Sequence, residues 1–164
     1  IIILLFLFPI LILAQNRITS NLDIEIDILG DVTLKSTGEP FTGILNMGGM
    51  NEESYVNGKS FSSVRHYESG QLKNVIFWKG ALNGSYRHGY TIDFYENGNL
   101  FAVTQYANGK KNGMSRSYYE NGSLKSEGEF INRKKHGIWN WNWPDGGSSV
   151  IRYSNGKEIS RRDF

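Results

Sequence analysis

The stretch YENGNL at Tyr95–Leu100 returns as YENGSL at Tyr119–Leu124, 24 residues later. Laying the chain out at that period brings further residues into line. Gly89, Gly113 and Gly137 share a column. So do Tyr95, Tyr119 and Trp143, and so do Asn97, Asn121 and Asp145, each followed by glycine. Tyr106 matches Phe130, while Tyr153 arrives one residue early. NGKKNG (Asn108–Gly113) matches NRKKHG (Asn132–Gly137). A fixed period of this size marks a stacked, repetitive architecture.

Each repeat reads as a strand, a tight turn, a second strand and another turn. Asn-Gly and Asp-Gly between alternating runs are the strongest local hairpin signal, because both central residues of a type I′ turn need positive φ. A turn centred on Asn97–Gly98 sets Tyr95 against Leu100, Asp93 against Ala102 and Thr91 against Thr104. Phe94 then meets Phe101, and Ile92 meets Val103. The face bearing Tyr95, Tyr119 and Trp143 is apolar or small in every repeat and is expected to be the inside. On the other face Arg116 opposes Glu127, a cross-strand ion pair suited to a wet surface. Arg133 at a turn-glycine position, Pro144 before a turn and Ser148 in place of leucine predict a distorted last repeat.

Upstream the pattern loosens. YESGQL (Tyr67–Leu72) precedes YENGNL by 28 residues, so about four residues are inserted within FWKGALNGSYRHG. YVNGKS (Tyr55–Ser60) is similar to YANGKK (Tyr106–Lys111). EPFTG (Glu39–Gly43) reads as a connection entering the array. Leu22, Ile24, Ile26 and Ile28 alternate with Asp23, Glu25 and Asp27, the pattern of a half-buried strand that caps an open end.

Composition agrees with an all-β chain. Glycine supplies 19 of 164 residues and the aromatics supply 22, with three prolines. Without cysteine, disulfides and thiolate chemistry are excluded. The formal charge is +2, too mild to mark a nucleic-acid binder by itself. Residues 1–14, IIILLFLFPILILA, are uncharged and shorter than the roughly 20 residues that cross a bilayer. They fit the apolar region of a signal peptide ending at Ala14, at a start that reads as truncated, and predict export to the periplasm, envelope or exterior. Residues 15–40 then form an N-terminal strand or cap, and 41–164 the hairpin repeats.

YYENGSLKSEGEFINRKKHGIWNWNWPDG (Tyr118–Gly146), with YENGNL before it, resembles the MORN repeat. More closely it is similar to the bacterial variant in the group labelled YwqK-family antitoxin. GEPFTG (Gly38–Gly43) resembles that group's opening segment. The resemblance implies one elongated, twisted antiparallel sheet of consecutive hairpins. It places Tyr95, Gly98, Gly113, Tyr119, Gly122, Gly137, Trp139, Trp143 and Gly146 at structural positions. It also implies protein interaction and, for some relatives, a lipid surface.

The residues offer little chemistry. His88 and His136 precede repeat glycines in a column that holds Asn112 between them, so the column reads as a turn position. Two hairpins, about 20 Å, separate them, too far to share a metal. Glu96 and Glu120 are about 10 Å apart by the same spacing. No nucleophile elbow or phosphate loop is present. The expectation is therefore a non-enzymatic protein with no catalytic, metal or cofactor site. Its candidate interaction face is Tyr90, Ile92, Phe94, Phe101 and Tyr118, for an unknown protein partner. A basic edge of Lys110, Lys111, Arg133, Lys134 and Lys135 would suit anionic headgroups, with a structural envelope role as the other reading. Export argues against nucleic acid as partner.

Overall fold

A computed structural model of the chain describes residues 17–18, 24–26, 32–46, 51–79 and 86–164. The apolar segment 1–14 lies outside the described residues, as do Leu22, Ile28 and most of the expected four-residue insertion. The strands are β1 (Arg17–Ile18), β2 (Ile24–Ile26), β3 (Val32–Leu34), β4 (Gly43–Asn46), β5 (Asn51–Val56), β6 (Lys59–His66) and β7 (Leu72–Lys79). They continue as β8 (Tyr86–Phe94), β9 (Leu100–Ala107), β10 (Lys110–Tyr118), β11 (Leu124–Ile131), β12 (Lys134–Asn142), β13 (Ser148–Ser154) and β14 (Lys157–Asp163). From β4 to β14 each strand pairs antiparallel with the next, and β1 joins β4 in parallel, completing a 12-stranded sheet. β2 and β3 form a separate two-stranded sheet. The fold is thus all-β, a single extended meander of hairpins.

The two rims of this sheet are built from different turns. One rim carries two-residue turns at Asn57–Gly58, Asn108–Gly109, Asn132–Arg133 and Asn155–Gly156. All eight central residues have φ between 48° and 83°, the type I′ geometry that matches strand twist. The other rim carries five-residue loops at 67–71, 95–99, 119–123 and 143–147. In each, the first residue's N–H donates to the last residue's carbonyl at 2.8 Å, and the glycine N–H returns to the first carbonyl. Asn97, Asn121 and Asp145 close these loops through Oδ1, accepting from the N–H two residues on.

This second loop corrects the expected register. Asn97–Gly98 is not the centre of a two-residue turn, and Tyr95 does not oppose Leu100. Phe94 pairs with Leu100, Asp93 with Ala102, Ile92 with Val103 and Thr91 with Thr104. Phe101 is left over as a bulge residue. Lys125 and Lys73 occupy the same bulge in neighbouring repeats. At Asn142–Ser148 and Trp141–Ser149 the bulge is absent. That missing residue is why Tyr153 comes one position early.

The last repeat departs from the others in lacking that bulge residue, while its two turns keep the common form. Arg133 adopts φ 72° in its turn, and the loop containing Pro144 keeps both backbone hydrogen bonds. Pro144 sits where no N–H is required, so its ring removes nothing from the loop.

The inner face is a floor of small residues under rings. One lateral row runs Asp93, Ala102, Ser117, Ser126, Trp141, Ser149, Asp163. Thr91, Thr104, Ser126, Ser149, Trp139 and Ile151 are buried there. Trp139 lies against Gly128, where an added Cβ would sit 2.5 Å from its Cγ. Its indole N–H donates to the Glu129 carbonyl at 3.1 Å. Phe130 and Tyr153 meet it edge-on, and Trp141 stacks beside it. At the N-terminal end the β2–β3 hairpin closes the sheet: Ile24, Phe41, Leu45 and Tyr55 form a buried cluster joined by Leu34. Ile24 is buried and Glu25 exposed, as the alternation requires.

Candidate interaction surface

The repeats are held to one another at both rims by bonds that recur with the period. On the five-residue rim each tyrosine hydroxyl donates to a carbonyl of the following loop. Tyr67 reaches Phe94, Tyr95 reaches Tyr118, and Tyr119 reaches Asn142, at 2.8, 2.9 and 2.9 Å. On the opposite rim the second turn residue's N–H donates back to the preceding hairpin. Gly109 reaches Arg87, Arg133 reaches Lys111, and Gly156 reaches Lys135, at 3.0, 2.8 and 2.8 Å. The tyrosines of the repeated motif are therefore rim staples. Tyr95 and Tyr119 begin the five-residue loops, beyond the last paired strand residues, so their rings belong to the rim and not to the lateral rows of the expected inner face. Trp143 alone of that column stacks on the inner aromatic run, beside Trp141 at 6.4 Å and 16°.

A second periodic set links charge to rings. The Arg87 guanidinium lies over Tyr106, the Lys111 ammonium over Phe130, and the Lys135 ammonium over Trp139, Trp141 and Tyr153 at 4.3–5.0 Å. Such contacts are worth roughly 0.5–2 kcal/mol each, more when desolvated. Burial lowers the Lys135 pKa, opposed by the Glu158 charge. Burial raises the Asp93 carboxyl, opposed by Arg87 and then Lys111. Tyr55 is likewise raised, by burial, then by its hydrogen bond to Glu53 and that residue's charge.

These contacts split the expected basic edge. Lys110, Arg133 and Lys134 are exposed on the turn rim. Lys111 and Lys135 are half-buried over rings and are not part of a solvated edge. Arg133 also donates to the Gly109 carbonyl at 3.3 Å.

The expected face is assembled on the side opposite the small-residue floor. Val64, Val75, Ile92 and Val103 form one lateral row, which continues through Arg116, Glu127, Asn140, Val150 and Arg162. The row is apolar over β6–β9 and polar from β10 to β12. Phe101 is 44% exposed; Tyr90, Ile92, Phe94 and Tyr118 are half-buried. Tyr95 meets Phe101 edge-on at 5.1 Å, so part of the patch is covered from the rim. The Arg116–Glu127 pair forms as expected, at 3.1 Å. Two further apolar residues on this face were not among the candidate interaction residues: Met114, 47% exposed, and Ile138, 57% exposed. Their signal was the period itself, since Tyr90, Met114 and Ile138 are spaced by 24 residues.

Among the described residues no group of three His, Cys, Asp or Glu is placed to hold a metal. Among the described residues no helix is long and apolar enough to cross a membrane. His88 and His136 flank the strand bulges of β8 and β12, with Glu129 opposite His136.

The family model described as MORN repeat variant matches residues 87–110 and 111–132. The two matches abut, and the first spans one full period. No curated protein matches the chain. The match concerns the repeat and does not extend to the antitoxin label.

Proposed function

We propose that this MORN repeat protein is a non-enzymatic, exported interaction module, whose apolar face over β6–β9 docks a protein partner. The observation that carries this reading is the single-layer sheet with a lateral apolar row, Val64–Val75–Ile92–Val103, in which Val75 is buried and the other three are half-buried. Phe101 stands exposed beside it. A sheet normally covers an apolar face with a second layer; among the described residues no element is paired with the sheet beyond its own neighbours and the N-terminal hairpin. Contiguous apolar patches of several hundred Å² on soluble proteins commonly mark partner surfaces. The MORN repeat supports a role in protein or membrane interaction.

The headgroup reading retains Lys110, Arg133 and Lys134, each cation contributing on the order of 1 kcal/mol near an anionic surface. With Lys111 and Lys135 engaged over rings, the docking face is the stronger reading. Crosslinked pull-down from the cell envelope tests it, using the chain and a Phe94→Ser/Phe101→Ser variant. Loss of one specific partner in the variant is expected. Equal capture of that partner by both proteins would remove the face from consideration.

A further inference from the structure

The five-residue loops are not joined alike. Between the 67–71 and 95–99 loops, Ser69 donates to Glu96 at 2.8 Å. Between 95–99 and 119–123, the Asn97 and Asn99 amides both donate to the Glu120 carbonyl, at 3.0 and 2.8 Å. The next interval breaks the pattern. Asn99 is replaced by Ser123, whose side chain is shorter. Asn121 folds back on its own loop, its Oδ1 accepting from the Ser123 N–H and hydroxyl. Across this interval the Tyr119 hydroxyl donates to the Asn142 carbonyl, and the Asn142 amide donates to the Leu124 carbonyl.

The result is a cleft of about 450 Å³ lined by Tyr119, Leu124, Trp143 and Pro144 with Asn121, Ser123, Asn142 and Gly146. That volume falls within the roughly 300–1,000 Å³ of small-ligand sites. Trp143 is 44% exposed and is backed by Trp141, so it offers one rigid indole face. We infer that this cleft binds a pyranose ring of an uncharged oligosaccharide.

Three features select that chemistry. No Lys, Arg, Asp or Glu lines the cleft, and the Lys125 ammonium beside it is engaged over the Tyr119 ring, so the lining itself offers an anionic headgroup or nucleotide no counter-charge. The apolar C–H face of a pyranose suits an open indole through dispersion. Finally, the remaining polar capacity is mixed. Asn121 keeps its Nδ2 donor, while Asn142, whose Nδ2 serves the Leu124 carbonyl, keeps its Oδ1 acceptor. Sugar hydroxyls donate and accept together. A proline-rich strand has only carbonyl acceptors in its repeating unit and leaves Asn142 Oδ1 unmatched.

The test follows the Trp143 indole N–H by NMR in the full chain, assigned with Trp143→Phe. The probes are maltotriose, cellotriose, tri-N-acetylchitotriose and decaproline. A saturable shift with at least one trisaccharide is expected in the millimolar range. In Trp143→Ala, where the Asn121 side-chain amide is followed instead, binding weakens at least tenfold. Ser123→Asn, which restores the side-chain amide that bridges the preceding interval to a backbone carbonyl, abolishes it while the remaining spectrum is retained. Phe94→Ser/Phe101→Ser leaves it unchanged, separating this site from the docking face. No shift with any trisaccharide, undiminished binding by Ser123→Asn, or a response to decaproline alone overturns the inference.

Discussion

Gly128→Ala tests whether the floor of small residues is what admits the rings. Gly128 lies in β11 with a φ that alanine tolerates, so backbone strain is not at issue. The added methyl would sit 2.5 Å from Trp139 Cγ and nearer still to Cδ2 and Cε2. Contact between carbons is comfortable at about 3.5–4.0 Å, so the ring must retreat by about 1 Å. It has little room: Trp139 is 3% exposed and held by Phe130, Trp141, Tyr153 and its bond to Glu129. Overpacking costs about 1–3 kcal/mol, and loss of the indole hydrogen bond adds about 1 kcal/mol. The expected sum is about 2–4 kcal/mol, a Tm drop on the order of 5–15 °C for a chain of this size. Gly122→Ala is the control. Nothing lies within 4 Å of its added Cβ, and φ is +86°, so it bears only left-handed backbone strain of about 1–2 kcal/mol. Urea melts with near-ultraviolet circular dichroism of both variants decide the matter. Gly128→Ala should be the more destabilised and should change the tryptophan signal. Trp139→Leu should offset part of its penalty, as coupled neighbours do. A Gly128→Ala protein as stable as Gly122→Ala, with its tryptophan spectrum intact, would refute the ring-on-glycine packing.

Tyr95→Phe and Tyr119→Phe each remove one rim staple and should cost about 0.5–1.5 kcal/mol in urea melts; the same change at Tyr118, for which no hydroxyl bond is seen, should stay within about 0.5 kcal/mol. Arg133→Gly should stabilise by about 1 kcal/mol, because it relieves positive φ in a type I′ turn while keeping the backbone bond to Lys111. For Asp93, the folded pKa is raised above its ordinary 3.8 by burial, so the native state binds the proton more tightly than the unfolded chain. Stability from this group is therefore greatest at low pH and falls as pH rises from about 4 through the raised value. Asp93→Asn should thus gain stability relative to the wild type on going from pH 3.5 to pH 7, measured as the difference in urea midpoints; a constant or shrinking difference counts against the assignment.

The period was legible because turn chemistry is local. Asn-Gly at 57–58, 108–109 and 155–156 needs no tertiary help to specify a type I′ turn, and strand order followed from consecutive hairpins. The same dipeptide misled at Asn97–Gly98. There the glycine alone has positive φ, and the asparagine closes a five-residue loop through its side chain. Two letters cannot distinguish these uses; the leucine two residues after the glycine, at Leu72, Leu100 and Leu124, recurs only with the longer loop and could have. The displacement of Phe101 into a bulge followed from that loop, and with it the move of Tyr95 from the inner face to the rim. Alternation still placed Arg116 opposite Glu127, because pairing beyond the bulge returns to the expected register. The cation–ring column was less legible, since it joins Lys111 to Phe130 across two strands, and sequence alone shows the lysine merely as a polar residue after a turn.

Departures from the period locate what the repeat cannot explain. Where every column agrees, a side chain is accounted for by stapling or packing: Tyr95 by its bond to Tyr118, Gly113 by its bulge, Lys111 by Phe130. Two departures border the interval between the 119–123 and 143–147 loops: Ser123 for Asn99, and the missing bulge residue after the second of these loops. Each loosens the rim rather than the floor, which remains intact through Ser126, Trp139 and Ile151. A repeat losing stability at random would be expected to damage buried and rim positions alike. Concentration of the changes around one cleft, with an exposed indole beside it, fits altered contact at that rim better than decay of the array. The fold tolerates this because each hairpin leans on two neighbours only, so one interval can open while the adjacent hairpins keep their own bonds.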